Sequence, residues 1–160
     1  MEAESGYAQL LASARTATLA TISPSGLPRL VPVCFAAVPD QAAEHGMRIY
    51  SPLDQKPKRV SDPRSLARVR DITADPRVTL LVDRWSEDWT DLAWLRLDGT
   101  ASLVEPAAAP ADAPEHAAAV TALRERYLQY REHDLESRPL IRITLSRVTG
   151  WNATDPNQGS

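Results

Sequence analysis

The chain has 160 residues and carries 18 basic against 21 acidic side chains, a net charge of −3. That length suits one domain, taken as residues 1–160 with a core at about 8–151, and 43% hydrophobic with 24% charged residues is ordinary globular composition. One cysteine excludes an internal disulfide framework, no run reaches the ~18 apolar residues of a membrane helix, and the acidic start Met1-Glu2-Ala3-Glu4 is unlike a secretory signal, so a cytoplasmic protein is expected.

Tyr7 to Ala14 reads as a short helix. Ala17 to Ser23 alternates as a strand, and Ser23-Pro24-Ser25-Gly26 is a turn in which proline fixes one φ and glycine supplies a positive one. Arg29 to Phe35 is the second strand of that hairpin. Pro32 removes a ladder donor there, which places it at an edge, a bulge or a ligand-facing position. After a loop from Pro39 to Gly46, Met47 to Ser51 is a third strand. The period then changes: Ser61 is positioned as an N-cap, Leu66, Val69 and Ile72 recur at helical spacing, and Asp75-Pro76 stops the helix.

Arg77 to Asp83 reads as a buried strand. A loop rich in Trp and Asp, Arg84 to Asp91, leads into a strand-like stretch from Leu92 to Glu105. An Ala/Pro linker, Pro106 to Pro114, precedes a helix from Glu115 to Tyr130 with an apolar stripe of Ala117, Val120, Leu123, Tyr127 and Tyr130. Leu140 to Val148 is the last strand, ending at Gly150-Trp151, and residues 152–160 form a polar, frayed tail. Six strands with long consecutive stretches favour an antiparallel, closed or half-closed sheet. The expected fold is mostly β (α+β): a small six-stranded barrel with helices outside it.

Sixteen of the 18 basic residues are arginine, and the two lysines, Lys56 and Lys58, sit together beside Arg59. Residues 56–70 hold six bases and one acid, a local charge of +5 in an acidic chain. Placed after a strand and before a helix N-terminus, such a segment suits a phosphate, although most basic runs are simply solvated. The three histidines are far apart and are expected in loops or on a helix surface, so a metal site is not indicated. Cys34, inside a strand, reads as a small buried hydrophobe. No phosphate loop, nucleophile elbow or deaminase signature is present, so the chain looks like one that borrows its chemistry. Three tryptophans, Trp85, Trp89 and Trp94, fall within ten residues beside four acids. They suit either stacking on a flat ligand or packing at a barrel end or a subunit interface.

Several pieces in order resemble the pyridoxamine 5'-phosphate oxidase-like (PPOX-class), FMN-binding split-barrel superfamily, and within it the branch using the deazaflavin coenzyme F420. They are the hairpin from Ala17 to Val33, Ile49-Tyr50-Ser51 with Lys56-Pro57-Lys58-Arg59, Asp71-Ile72, Asp75-Pro76-Arg77-Val78, and Arg96 to Ala101. The resemblance implies a six-stranded antiparallel split β-barrel with flanking helices, forming a homodimer with two cofactor sites at the interface. It implies cofactor binding by Arg29, Val31, Pro32, Tyr50, Ser51, Lys56, Lys58, Arg59 and Trp94, the basic residues clamping the cofactor phosphate. Trp85, Trp89 and Trp151 would line a substrate pocket, with no catalytic side chain and no metal, because the cofactor carries the hydride. The chain lacks the arginine-rich C-terminal substrate tail of the vitamin-forming oxidases. The implied activity is an F420(H2)-dependent reductase acting on a small molecule. An FMN-dependent oxidase or reductase and a non-catalytic flavin, F420 or haem binder are the alternatives. Nucleic acid and membrane partners are not expected.

Overall fold

The structure, a computed structural model, describes residues 2–53, 62–106 and 112–154, with side chains from residue 6 onward. The hairpin forms as its residues dictate: β1 (Ala17–Ile22) pairs antiparallel with β2 (Pro28–Val33), Ile22 facing Pro28 and Ala17 facing Val33. At its turn Gly26 takes φ 82°, and its N–H donates to the Ser23 carbonyl at 2.8 Å.

The sheet has seven strands among the described residues, not six. β3 (Ala36–Pro39), β4 (Met47–Pro52), β5 (Arg77–Arg84), β6 (Ala93–Val104) and β7 (Leu140–Asn152) join the hairpin in the order β2-β1-β5-β6-β7-β4-β3, every pairing antiparallel. The stretch expected as one strand to Phe35 ends at Val33, and after Cys34 and Phe35 the chain begins β3 at the opposite edge. Only two residues therefore join the two edge strands. Since a residue spans at most ~3.6 Å, the sheet has to curl until its edges approach, and chain continuity rather than a closing ladder brings them together. Pro32 lies on an edge strand, where its missing N–H costs no ladder bond on the outer side.

The bridge between the edges is pinned from outside. The Phe35 N–H donates to the Tyr127 hydroxyl at 3.1 Å, and that hydroxyl lies 2.9 Å from the Arg15 carbonyl and 3.1 Å from that of Phe35. Inside the curl, Leu19, Phe35, Ile49, Leu80, Leu95 and Ile143 are fully buried. α1 (Glu2–Ser13) adds Leu10 and Leu11 to this core, and α2 (Ala67–Ala74) adds Val69 and Ile72. A second core lies under α3 (Asp112–Arg126), where Ala119, Val120 and Leu123 pack on Ala36 and Tyr50.

The Ser61 N-cap lies outside the described residues; Asp62 caps a 3-10 turn (Pro63–Ser65) ahead of α2. Other expectations are corrected. α3 stops at Arg126, and Leu128–Arg131 continues as a 3-10 turn. His116, expected on the surface, is buried with Nε2 2.6 Å from the Arg138 carbonyl, while Ala117 is exposed. Cys34 is half-buried. β7 runs four residues past Val148. No helix among the described residues is long and apolar enough to cross a membrane.

Candidate functional site

Strand alternation gives the sheet an inner and an outer face, and register decides which outer residues meet. Along one row Asp83, Trp94 and Trp151 stand side by side on β5, β6 and β7. The next rows run Pro32–Thr18–Leu81–Arg96–Thr149 and Leu30–Ala20–Thr79–Asp98–Arg147. The β7 extension is what brings Trp151 opposite Trp94, 57 positions earlier in the chain.

The loop between β5 and β6 places the other two tryptophans. The Asp88 carboxylate accepts from the Thr90 N–H at 3.0 Å and the Thr90 hydroxyl at 2.7 Å, capping a 3-10 turn (Trp89–Asp91) and holding its own pKa below the ordinary carboxylate value. Arg84 Nε donates to the Asp91 carbonyl at 2.7 Å, and the Ala153 N–H to that of Leu92 at 3.0 Å, fastening the loop to the end of β7. The result is an open cavity of about 490 Å³ whose wall includes all four tryptophans together with Leu81 and Asp83. Trp85 and Trp89 remain 66% and 72% exposed, an unusual state for side chains with so much apolar area.

On the hairpin, Arg29 shares the inner-facing row with Thr21. Its Nε donates to Asp71 Oδ2 at 2.7 Å, and the Thr21 hydroxyl donates to the same oxygen at 2.8 Å. Burial would raise the Asp71 pKa, but these two hydrogen bonds and the charges of Arg29 and Arg70 outweigh it and hold the carboxyl below its usual value. The Arg29 side chain is 44% exposed, and its two terminal nitrogens have no partner among the described residues. Val31 is half-buried and Pro32 exposed at the same edge.

Tyr50 and Ser51 are not gathered into this region. Tyr50 faces α3, and its hydroxyl donates to Glu115 Oε1 at 2.7 Å. Its pKa is pushed well above normal by burial and by that carboxylate. Glu115 also accepts from Arg142 at 2.8 Å; burial opposes its ionisation, but the Tyr50 and Arg142 hydrogen bonds and the arginine charges lower its pKa. Ser51 is buried and donates to the Cys34 carbonyl at 2.8 Å, bracing the bridge between the sheet edges. Lys56, Lys58 and Arg59 lie outside the described residues, which stop at Leu53 and resume at Asp62.

Glu115 is a residue that sequence reading did not select, and Asp71 was singled out only as part of the family likeness, with no role at the site. Asp71 had a signal of a kind, being the acid that ends a run of bases, but nothing in its spacing marks it as buried. Among the described residues no group of three or more His, Cys, Asp and Glu side chains could hold a metal.

The profile of the pyridoxamine 5'-phosphate oxidase family matches residues 4–152. No curated protein matches the chain. Among solved structures it is similar to a conserved hypothetical protein of Mycobacterium tuberculosis (20% identity over 98% of this chain and 91% of that one, TM-score 0.67). It is also similar to a FAD-binding protein of Mesorhizobium loti (18%, 92% and 90%, 0.60) and to the haem storage protein HutZ of Vibrio cholerae (13%, 93% and 93%, 0.59). At these identities the likeness shows the fold.

Proposed function

The chain belongs to the pyridoxamine 5'-phosphate oxidase family, and on that premise we propose that it is an F420(H2)-dependent oxidoreductase moving hydride between the deazaflavin and a small organic molecule. The observation that carries this reading is the cavity walled by all four tryptophans, on the outer sheet face that also carries the exposed edge of the hairpin. The residues present fit the cofactor's chemistry. Arg29, fixed at Nε by Asp71, keeps its two terminal NH2 groups for an anionic or carbonyl group, and Val31, Pro32 and Trp94 offer flat or apolar surface for a ring. When bound, the deazaflavin supplies the hydride. The chain's own part is to hold the phosphate with Lys56, Lys58 and Arg59, to orient the ring, and to exclude water with the tryptophans.

Leu30, 67% exposed, and Leu27, 66% exposed, lie on the same hairpin, and with Leu81 they make an apolar surface that suits a second copy of the chain. The reading therefore includes a homodimer in the cytoplasm with the cofactor at the interface. FMN shares a flat ring and a phosphate, so the same residues would serve it.

Titration of purified protein with F420, FMN and haemin tests the reading. The expected result is F420 binding at micromolar concentration, with Lys56→Ala/Lys58→Ala weakening it by ~1–3 kcal/mol per charge-assisted bond lost. FMN or haem retained while F420 is ignored would overturn the cofactor assignment. Unchanged affinity in the double variant would remove the phosphate clamp.

A further inference from the structure

The loop that walls the tryptophan cavity carries charge as well as shape. Residues 83–91 contain four carboxylates, Asp83, Glu87, Asp88 and Asp91, against one cation, Arg84, a local charge of −3. Of these five, Asp83 and Arg84 line the cavity: Arg84 turns its Nε to the Asp91 carbonyl, whereas Asp83 makes no hydrogen bond or ion pair among the described residues, so its charge is not spent internally. Asp88 is held ionised by the Thr90 hydrogen bonds. A further cation, Arg96 on β6, is set against Asp98 at 3.7 Å.

The walls answer to the same sign. The face of an indole is the strongest natural aromatic partner for a cation, because its quadrupole is negative there. Trp94 already meets one: the Arg96 guanidinium stands 5.8 Å from its ring centroid. Trp85 and Trp89, by contrast, are largely exposed, on a loop whose hydrogen bonds fix it before any ligand arrives. A cavity of about 490 Å³ lies within the size range of small-molecule sites.

We propose that this cavity selects a flat aromatic cation, a fused-ring molecule whose positive charge is delocalised over the rings, as the substrate class of the site. Neutral aromatics gain only the stacking. Anions meet Asp83 in the wall and the acidic loop beside it. Selection between substrate and cofactor follows from the same charges, since the anionic part of a cofactor is repelled by Asp83 and the acidic loop that attract the cation. The inference rests on the proposed oxidoreductase reading for turnover, whereas binding depends only on residues of this chain.

Calorimetric titration of the full, cofactor-free chain with N-methylacridinium, and with neutral acridine at pH 8, tests it. The cation is expected to bind about tenfold more tightly than acridine, an advantage that shrinks as salt is raised. Asp83→Asn/Glu87→Gln is expected to reduce N-methylacridinium affinity several-fold and leave acridine unchanged, while Trp89→Ala weakens both. Equal affinity for the two probes, or no effect of the carboxamide variant, overturns the proposal. So does failure of both probes to bind the protein in the oligomeric state that sedimentation gives. F420 is titrated separately on the same protein. F420 binding without cation selectivity sinks only this inference, and cation selectivity without F420 binding sinks only the cofactor assignment.

Discussion

Arg29→Met separates the structural from the ligand-binding use of the Arg29–Asp71 pair. The substitution keeps most of the apolar stem but leaves Asp71, 1% exposed, with Thr21 as its remaining side-chain donor. Truncating one member of a fully buried ion pair costs about 3–5 kcal/mol. A single hydrogen bond to a charged group contributes about 1.5–3 kcal/mol. Because the Arg29 side chain is 44% exposed, water reaches the vacated position, and the loss at pH 7 is expected at the lower end, about 2 kcal/mol. For a domain of this size that is roughly 4–8 °C in Tm. The loss also carries a pH signature. In the native chain the Asp71 pKa is depressed, so its stabilisation is complete above the unfolded value of about 3.9 and is lost as pH falls through the folded value. In Arg29→Met burial dominates and the folded pKa rises, so the difference between the two proteins is largest near neutrality and shrinks below about pH 4. Urea unfolding at pH 7, 5 and 3 reads this directly. A difference under about 0.5 kcal/mol at pH 7, or one independent of pH, would refute the coupling. A fall in cofactor affinity for Asp71→Asn, with Arg29 intact, would show that the carboxylate also positions Arg29 for its ligand.

Two further substitutions probe the closure of the sheet. Tyr127→Phe leaves the buried Phe35 N–H without its acceptor and is expected to cost about 2 kcal/mol, read as a lower urea midpoint at unchanged m. Gly99→Ala drives a Cβ into the Thr144 carbonyl oxygen, backbone that cannot swing aside, at the register shift between β6 and β7. A loss of about 3 kcal/mol is expected by thermal unfolding, because overpacking against main chain cannot be relieved by a rotamer change.

What the sequence made legible was local. The Ser23-Pro24-Ser25-Gly26 turn carries its own geometry, so the hairpin and the edge position of Pro32 could be read from a few residues. The break at Cys34-Phe35 could not. Residues 29–38 hold no glycine, and the one proline, Pro32, lies inside β2. What ends that strand is a hydroxyl 92 positions away, with the Phe35 backbone turned to Tyr127. His116 was misplaced for a related reason. An apolar stripe selects Ala117, whereas the buried positions at 116, 119, 120 and 123 share one helical face, and the imidazole is admitted because the Arg138 carbonyl meets Nε2. Three of the four tryptophans were visibly clustered, but only the β6–β7 register adds Trp151 opposite Trp94. Tyr50 shows the limit of position-by-position likeness: the strand end is where it was expected, but the side chain is turned to α3 and engaged with Glu115.

The basic segment also changes meaning once partners are counted. Its charge of +5 over residues 56–70 is a sum along the chain, and a ligand does not meet a sum. Arg64 donates to Glu105 at 3.1 Å and lies 3.4 Å from Asp62, so it serves two carboxylates of its own protein. Arg70 adds to the field that keeps Asp71 ionised. Arg68 also has a partner of its own, and subtracting these three leaves the lysine pair and Arg59 as the concentrated part of the charge, in a stretch that begins within a few residues of the end of β4. A diffuse field would weaken by similar amounts whichever base were removed, since each contributes one screened charge. A clamp loses most with the residues that touch the phosphate. For that reason the lysine pair, rather than Arg64 or Arg70, is the substitution on which the cofactor assignment stands or falls.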